Sequence, residues 1–303
     1  KRINFKKTLE AIEDMGEKNG FKVVLKQGEA ASKHLGYAPQ KTFTGTNLAE
    51  SIAGTASADF IEALDGDDIV SSGAGNDLTF LGEGNDSVNA GSGNDTIHAG
   101  VGDDIIVSGT GADIVKSGEG KDKIILEADG IFDISSEARN YSSSKILFSK
   151  IRVDGKNKFT DVIDGEQGID VIELTSQSDA FFLHDSYSSF HDNITLKKDS
   201  FDRQYTDRII SVEEINAGDG DDVIDLTSPD TSLTDNMAID AGSGNDVIWS
   251  SSGNDILIGG EGNDILFGGK GIDTLIGGTG ADIYEFVVGS ANDTIKDYNK
   301  SEG

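Results

Sequence analysis

The chain of 303 residues has no cysteine, only two prolines and few basic residues: 25 Lys and Arg face 55 Asp and Glu, for a net charge of −30. Without cysteine there is no disulfide, no thiolate metal site and no cysteine nucleophile. So acidic a surface repels nucleic acid and anionic lipid, and it suits a cation as partner. No run of 18 apolar residues occurs, so no transmembrane helix is predicted. Apolar residues make up 36% and aromatics 7%, low for an ordinary globular core. High charge with 39 glycines predicts a disordered chain unless something outside a conventional core adds stability. The sequence opens on Lys1 without a signal-peptide pattern and is expected to be a piece of something larger.

Enzyme signatures are missing as well. The four histidines (His34, His98, His184 and His191) are followed by Leu, Ala, Asp and Asp, so no H-E-x-x-H zinc site exists. No G-x-S-x-G nucleophile elbow occurs either. No catalysis is expected from these residues.

What the chain does have is a repeat, and a strict one. From Gly54 it reads GTASADFIE, ALDGDDIVS, SGAGNDLTF, LGEGNDSVN, AGSGNDTIH, AGVGDDIIV, SGTGADIVK and SGEGKDKII. Asp recurs every nine residues at 59, 68, 77, 86, 95, 104, 113 and 122. Two residues after each comes an aliphatic side chain, with Thr79 the only departure. A second array starts near Gly242 as AGSGNDVIW, SSSGNDILI, GGEGNDILF, GGKGIDTLI and GGTGADIYE, with Asp at 246, 255, 264, 273 and 282. Between the arrays Asp161 is in phase with Asp170 of GEQGIDVIE, and AGDGDDVID centres on Asp222.

Each part of the nonapeptide has a physical reading. Glycines at the second and fourth places permit the positive φ of a tight turn and let carbonyl groups crowd together. Asp at the sixth place supplies a carboxylate. The last three residues suffice only for a short strand whose middle side chain points inward. Two nonapeptides then make one coil, and residues 18 apart stack. One predicted inner file is Ile61, Thr79, Ile97, Val115; the other is Val70, Val88, Ile106, Ile124. Carboxylates such as Asp68, Asp86, Asp104 and Asp122 form matching files, and at ~5 Å spacing they repel one another unless a cation lies between them. Calcium takes oxygen ligands of this kind.

The pattern resembles the RTX family, the G-G-x-G-x-D-x-U-x repeats of type I secreted bacterial toxins, enzymes and adhesins. The resemblance covers residues 54–125 and 242–285. It implies a parallel β-roll with each Ca²⁺ held between turns i and i+2, about ten ions in all. The residues it assigns to the metal in the first array are Asp68, Asp77, Asp86, Asp95, Asp104, Asp113 and Asp122, with the turn glycines Gly73, Gly75, Gly82, Gly84, Gly91, Gly93, Gly100, Gly102, Gly109, Gly111, Gly118 and Gly120. Between the arrays it assigns Asp170, Gly218, Gly220 and Asp222. In the second array it assigns Gly242, Gly244, Asp246, Gly253, Asp255, Gly260, Gly262, Asp264, Gly269, Gly271, Asp273, Gly280 and Asp282.

The remainder is less regular. Residues 1–45 carry a helical stripe at Leu9, Ile12 and Met15 and a strand-like Phe21–Leu25, predicting a small α/β cap or the remnant of an upstream domain. Residues 127–216 show strand signals at Lys145–Val153, Val171–Leu174, Ala180–Leu183, Asn193–Leu196 and Arg208–Val212, with many aromatics. They read as a β-sandwich-like insert, either an ordinary core or a ligand-binding module in which Tyr187 and Phe190 line the site. The expected fold is all-β: two β-roll blocks (46–126 and 217–288) flank this insert, behind the cap. Asp293 falls out of phase, so the roll is expected to stop near Tyr284. Residues 289–303 resemble the segment leading into a type I secretion signal. The stretch 209–288 is similar to the distal ends of large RTX adhesins. That similarity implies a protein secreted from, or displayed on, a Gram-negative bacterium by the type I machinery, binding a host or cell-surface peptide or glycan. The alternative is the C-terminal repeat region of a secreted pore-forming or multifunctional toxin.

Overall fold

The computed structural model of the protein describes residues 41–132, 155–183, 208–227, 233–286 and 292–298. These residues form short strands in three sheets, parallel except where Gly130–Ile131 pairs antiparallel with Asn157–Lys158, coiled into one solenoid. The second sheet is its spine. Eleven strands stack in it, from Ser51–Thr55 through Val171–Glu173 and Glu214–Asn216 to Thr294–Ile295. At ~4.8 Å per step that spine is roughly 50 Å long.

The spine exists because one inward position per coil is aliphatic. Ile52, Val70, Val88, Ile106, Ile124, Ile172, Ile215, Ile239, Leu257, Leu275 and Ile295 pair in a single file. Most are fully buried in one continuous core. The first sheet adds the facing file of Phe43, Ile61, Thr79, Ile97, Val115, Ile163 and Ile209. Both expected files of the first array are therefore present in register. Thr79 fits among aliphatics because its hydroxyl lies 3.0 Å from that of Ser72, so both buried hydroxyls are partnered.

Residues 127–216 differ from expectation. Three of the five expected strands are present, at Val171–Glu173, Asp179–Phe182 and Ile209–Ile210. They do not pack as a sandwich; each joins a sheet of the solenoid. The other two expected strands, and Tyr187 and Phe190, lie outside the described residues. Sequence separation along the spine is 18 residues until Ile124, then 48 to Ile172, 43 to Ile215 and 24 to Ile239, before 18 returns. Two backbone hydrogen bonds form necks that close the described ends on either side of the two longest of these stretches. Gly155 N–H donates to the Phe132 carbonyl, and Arg208 N–H to the Leu183 carbonyl, each at 2.9 Å. The Arg208 guanidinium donates to the Phe159 carbonyl and ties the two necks together.

In these middle coils the chain visits a third sheet before returning to the spine. The third sheet then faces the spine through the second array, where Phe181, Ile224, Ile248, Leu266 and Tyr284 form its inward file. Its central strands, Asp179–Phe182, Val223–Asp225 and Val247–Trp249, are buried on both faces. Ala180, Phe182, Val223, Val247, Trp249 and Phe267 point away from the main core and form a second apolar cluster with Phe132.

Two further expectations are corrected. The cap was expected to run to residue 45, but Lys41–Thr44 is already a strand of the first sheet, paired with Asp59–Asp65; residues 1–40 lie outside the described part. The roll does not stop near Tyr284. Asp293 takes the next position in the carboxylate file, accepting from Asp273 N–H at 3.0 Å, and Thr294–Ile295 adds one more spine strand. Two extra residues are absorbed in the turn, because stacking fixes the register of the strands and not the length of their connection.

Candidate metal centre

The turns between strands concentrate the chemistry. Along the first array the glycines stack 18 residues apart with positive φ. A Cβ built on Gly102 (φ +145°) would lie 1.8 Å from the Gly84 carbonyl oxygen, and one on Gly111 (φ +135°) 1.7 Å from that of Gly93. No other residue fits such a turn: the backbone conformation and the contact both forbid a side chain.

The carboxylate of each repeat is held by the coil before it. The N–H of Asp68 donates to Asp86 Oδ1 at 2.7 Å, that of Asp86 to Asp104 at 2.7 Å and that of Asp104 to Asp122 at 2.8 Å. On the opposite side the file runs from Asp59 through Asp77 and Asp95 to Asp113, each step at 2.7 Å. It continues through the middle coils, from Asp113 to Asp161 and from Asp122 to Asp170, and returns in the second array from Asp222 through Asp246 and Asp264 to Asp282.

Only one oxygen of each carboxylate is used this way. The second is buried and without a hydrogen-bond partner in Asp59, Asp68, Asp77, Asp86, Asp95, Asp104, Asp113, Asp122, Asp170, Asp222, Asp246, Asp264 and Asp273. A buried, unpartnered carboxylate oxygen is costly. Burial accordingly pushes the carboxyl groups up, Asp77 and Asp86 to about 6, Asp95 and Asp104 to about 7 and Asp113 to about 9. In the last coils the free oxygen lies against a glycine. A Cβ on Gly259, Gly268 or Gly277 would meet Asp264, Asp273 or Asp282 Oδ2 at 2.4, 2.3 or 2.2 Å.

This donor set fits a hard cation. Most array turns offer one bare carboxylate oxygen near backbone carbonyls, the ligand type calcium takes. It is not a carboxylate cage: among the described residues no three His, Cys, Asp or Glu side chains converge on one point. Nitrogen- and sulfur-seeking metals have nothing here to bind.

A family model of four copies of the RTX calcium-binding nonapeptide repeat matches residues 44–78, 80–115, 99–129, 238–266 and 258–295. These segments are RTX repeats. The matches end at residue 129 and resume at 238, whereas the coil runs on between them, through strands in which the nine-residue pattern survives only as isolated copies. A comparison with curated proteins gives no match. Among solved structures the chain is similar to the X-ray crystal structure of a hyperactive, Ca²⁺-dependent, beta-helical antifreeze protein from an Antarctic bacterium. Identity is 16% over 92% of this chain and 88% of that one, and the TM-score of 0.26 is too low for the likeness to bear on function.

Twelve of the fourteen aspartates assigned by the sequence keep a bare oxygen in their turn. Asp255 differs because Ser250 donates its hydroxyl to the second oxygen. Asp282 is half-buried near the end of the file. Asp129, outside the nine-residue phase, nonetheless occupies a turn, accepting from Gly111 N–H at 2.6 Å and Thr160 N–H at 2.6 Å.

Sequence reasoning missed the fifth place of the repeat. Its Asn or Asp side chain accepts from the backbone one coil later: Asp67 from Asn85 N–H at 2.9 Å, Asn85 from Asp103 at 2.9 Å, Asn76 from Asn94 at 3.0 Å. This outer ladder runs opposite in sense to the Asp file. Its signal is the recurrent G-N-D or G-D-D triplet, in which two polar residues and not one recur every nine positions.

Proposed function

We propose that this RTX repeat protein is a calcium-triggered folding scaffold of a secreted Gram-negative bacterial protein of adhesin type, exported by the type I machinery, and that it is not itself an enzyme. The observation that carries the reading is the row of buried carboxylate oxygens left without a donor at nine-residue intervals. In the calcium-poor cytosol those oxygens and a net charge of −30 disfavour the coil, and the chain stays extended and exportable. Outside, calcium at the millimolar level meets sites of the weak extracellular class, ~10⁻⁴–10⁻³ M. Binding and folding are then one event, and about ten ions offset most of the charge.

The adhesin half of the proposal rests on the likeness of residues 209–288 to the distal ends of large RTX adhesins. It assigns ligand binding, to a peptide or a cell-surface glycan, to the segment 127–216 with Tyr187 and Phe190. Circular dichroism with calcium and with EDTA tests the scaffold. A β signal that appears only in calcium is expected, and an unchanged signal after chelation overturns it. A glycan and peptide array probed in millimolar calcium and again in EDTA tests the adhesin; calcium-dependent capture is expected, and no capture in calcium rejects it.

A further inference from the structure

One turn of the solenoid is completed by the chain itself. Asp179 occupies a position in the carboxylate file, its own N–H donating to Asp222 Oδ1 at 2.7 Å. Unlike most array aspartates it has no bare oxygen. Thr175 donates its N–H at 2.7 Å and its hydroxyl at 2.8 Å, and Asn157 donates its side-chain amide at 2.8 Å. One coil further on, the carbonyl of Asp221 accepts from the Lys156 ammonium. Lys156 and Asn157 are neighbours, delivered to this edge because Asn157–Lys158 pairs in parallel with Asp179 and Ala180. They are fixed at the neck where the Lys156 carbonyl accepts from Phe132 N–H at 2.8 Å.

The ammonium serves several groups at once. Burial raises the carboxyls of Asp179, Asp222 and Asp246, and the charge of Lys156 counters that rise in all three. Asp221 is held below the usual carboxylate range by the amides of Asn245, with Lys156 adding to the effect. A half-buried cation therefore donates to a turn carbonyl beside Asp222, the kind of ligand that an ion finds in the arrays.

We infer that Lys156 is a tethered substitute for calcium at the Asp179–Asp222 turn, and that with Asn157 and Thr175 it holds the first coils of the third sheet together when no ion is bound. The inference rests on the calcium reading of the arrays. It adds that the solenoid contains a calcium-independent segment from which the second array can extend by stacking onto Val223–Asp225. Propagating from a formed coil avoids the loss of entropy that makes the first coil of a repeat array unfavourable.

Hydrogen exchange of the full chain, read by mass spectrometry in EDTA and in calcium, separates the possibilities. In EDTA the peptides covering 156–182 and 214–225 are expected to keep slow exchange while those covering 59–122 and 255–285 lose it. Exchange that is equally fast everywhere in EDTA overturns this inference and leaves the calcium reading intact. Exchange that is equally slow everywhere overturns the calcium reading itself. Lys156→Met is expected to lose the residual protection in EDTA, to fold normally in calcium, and to bind one ion more than the parent chain by native mass spectrometry. Lys156→Arg is expected to keep both the protection and the parent count. Protection in EDTA that survives Lys156→Met, or an ion count that does not rise, overturns the substitute role.

Discussion

The nonapeptide arrays and the middle coils build the same solenoid in two different ways. In the arrays, from Asp59 to Asp122 and at Asp246, Asp264 and Asp273, the chain supplies a donor for one oxygen of each carboxylate and none for the other. In the middle coils the chain often supplies both. Ser108 donates its hydroxyl to the second oxygen of Asp161 at 3.1 Å, Thr160 donates to Asp129, and Thr175 with Asn157 closes Asp179. Ion pairs also join the first array to the middle coils: Lys116 with Asp164 and Glu166 at 3.0 and 2.9 Å, and Lys123 with Glu173 at 2.6 Å. A coil needs its turn carboxylates satisfied, but it is indifferent to whether a side chain or an external cation does it. Leaving the task to the ion makes the arrays conditional on calcium, and filling it from the chain relaxes that condition.

The largest expected difference is the response of the calcium-free chain to pH. Burial holds Asp95 and Asp104 up to about 7, Asp222 to about 8 and Asp113 to about 9. A carboxyl whose pKa is higher in the fold than in the unfolded chain binds its proton more tightly in the fold. Its stabilisation is complete below the unfolded value near 4 and drains away as pH rises through 6 to 9. In EDTA the β signal should therefore be stronger at pH 5 than at pH 8. In calcium the order reverses, because the ion requires ionised carboxylates. Circular dichroism at the two pH values, with and without EDTA, checks both signs; the same trend in both would break the contrast.

Next comes the backbone. Gly102→Ala in the first array meets the Gly84 carbonyl at 1.8 Å with φ +145°, whereas Gly155→Ala at the neck has φ +85° and nothing within 4 Å. The first should cost ~3 kcal/mol or more, from collision added to strain, and the second ~1 kcal/mol, from strain alone. Thermal unfolding in saturating calcium measures both. Equal losses would mean that the stacked glycines do not touch.

The same contrast holds for single carboxylates. Asp104→Asn keeps an acceptor for Asp86 N–H but removes the charged bare oxygen. It should weaken calcium binding about tenfold, close to 1.4 kcal/mol. Asp129→Asn should leave calcium affinity nearly unchanged and lower stability by ~1 kcal/mol in calcium and EDTA alike, because Gly111 and Thr160 already occupy its oxygens. Calorimetric titration distinguishes the two.

These differences mark what a sequence can reveal. The files through Ile61 and Val70, the Asp files and the two turn glycines were legible because an 18-residue coil imposes a strict period on every residue that stacks. The middle coils were legible only through the isolated copies at Asp161, Asp170 and Asp222, for a related reason. Stacking demands that Ile172 sit on Ile124 and Ile215 on Ile172, but it sets no limit on the chain between them, and each doubling of a loop costs only ~0.6 kcal/mol. Once the period breaks, GEQGIDVIE and AGDGDDVID read as isolated copies, and nothing in their spacing shows that they share one stack. The third sheet was hidden for another reason: Val223, Val247 and Trp249 are buried on the face turned away from the main core, so the alternation that marks a solenoid strand is lost.

A finer comparison separates the two arrays at the first place of the repeat. In the second array Gly259 and Gly268 leave room for the carboxylates of Asp264 and Asp273, whereas the first array carries buried side chains there, such as Ala90 and Ala99. Gly268→Ala puts a Cβ 2.3 Å from Asp273 Oδ2. It should reduce calcium affinity severalfold, about 1 kcal/mol, while Ala99→Gly should leave affinity unchanged. Terbium luminescence titration of the two variants reads this directly.

The smallest effect belongs to the outer ladder. Asn94 accepts from Ala112 N–H at 3.0 Å through its side-chain oxygen. Asn94→Ala removes that bond at a partly buried site and should cost ~0.5–1 kcal/mol with no change in calcium affinity. The ladder ends where its side chain is lost, at Ala112 and Lys121 in the first array and at Ile272 and Ala281 in the second. It begins again in the middle coils with Ser178, whose hydroxyl oxygen accepts from Asp221 N–H at 3.0 Å and so leads to Asn245 and Asn263. The outer ladder therefore stops at least one coil before the carboxylate file does. If Asn94→Ala instead lowers calcium affinity as much as Asp104→Asn, the two ladders are one cooperative unit, and the fifth place belongs to the metal turn and not only to the frame around it.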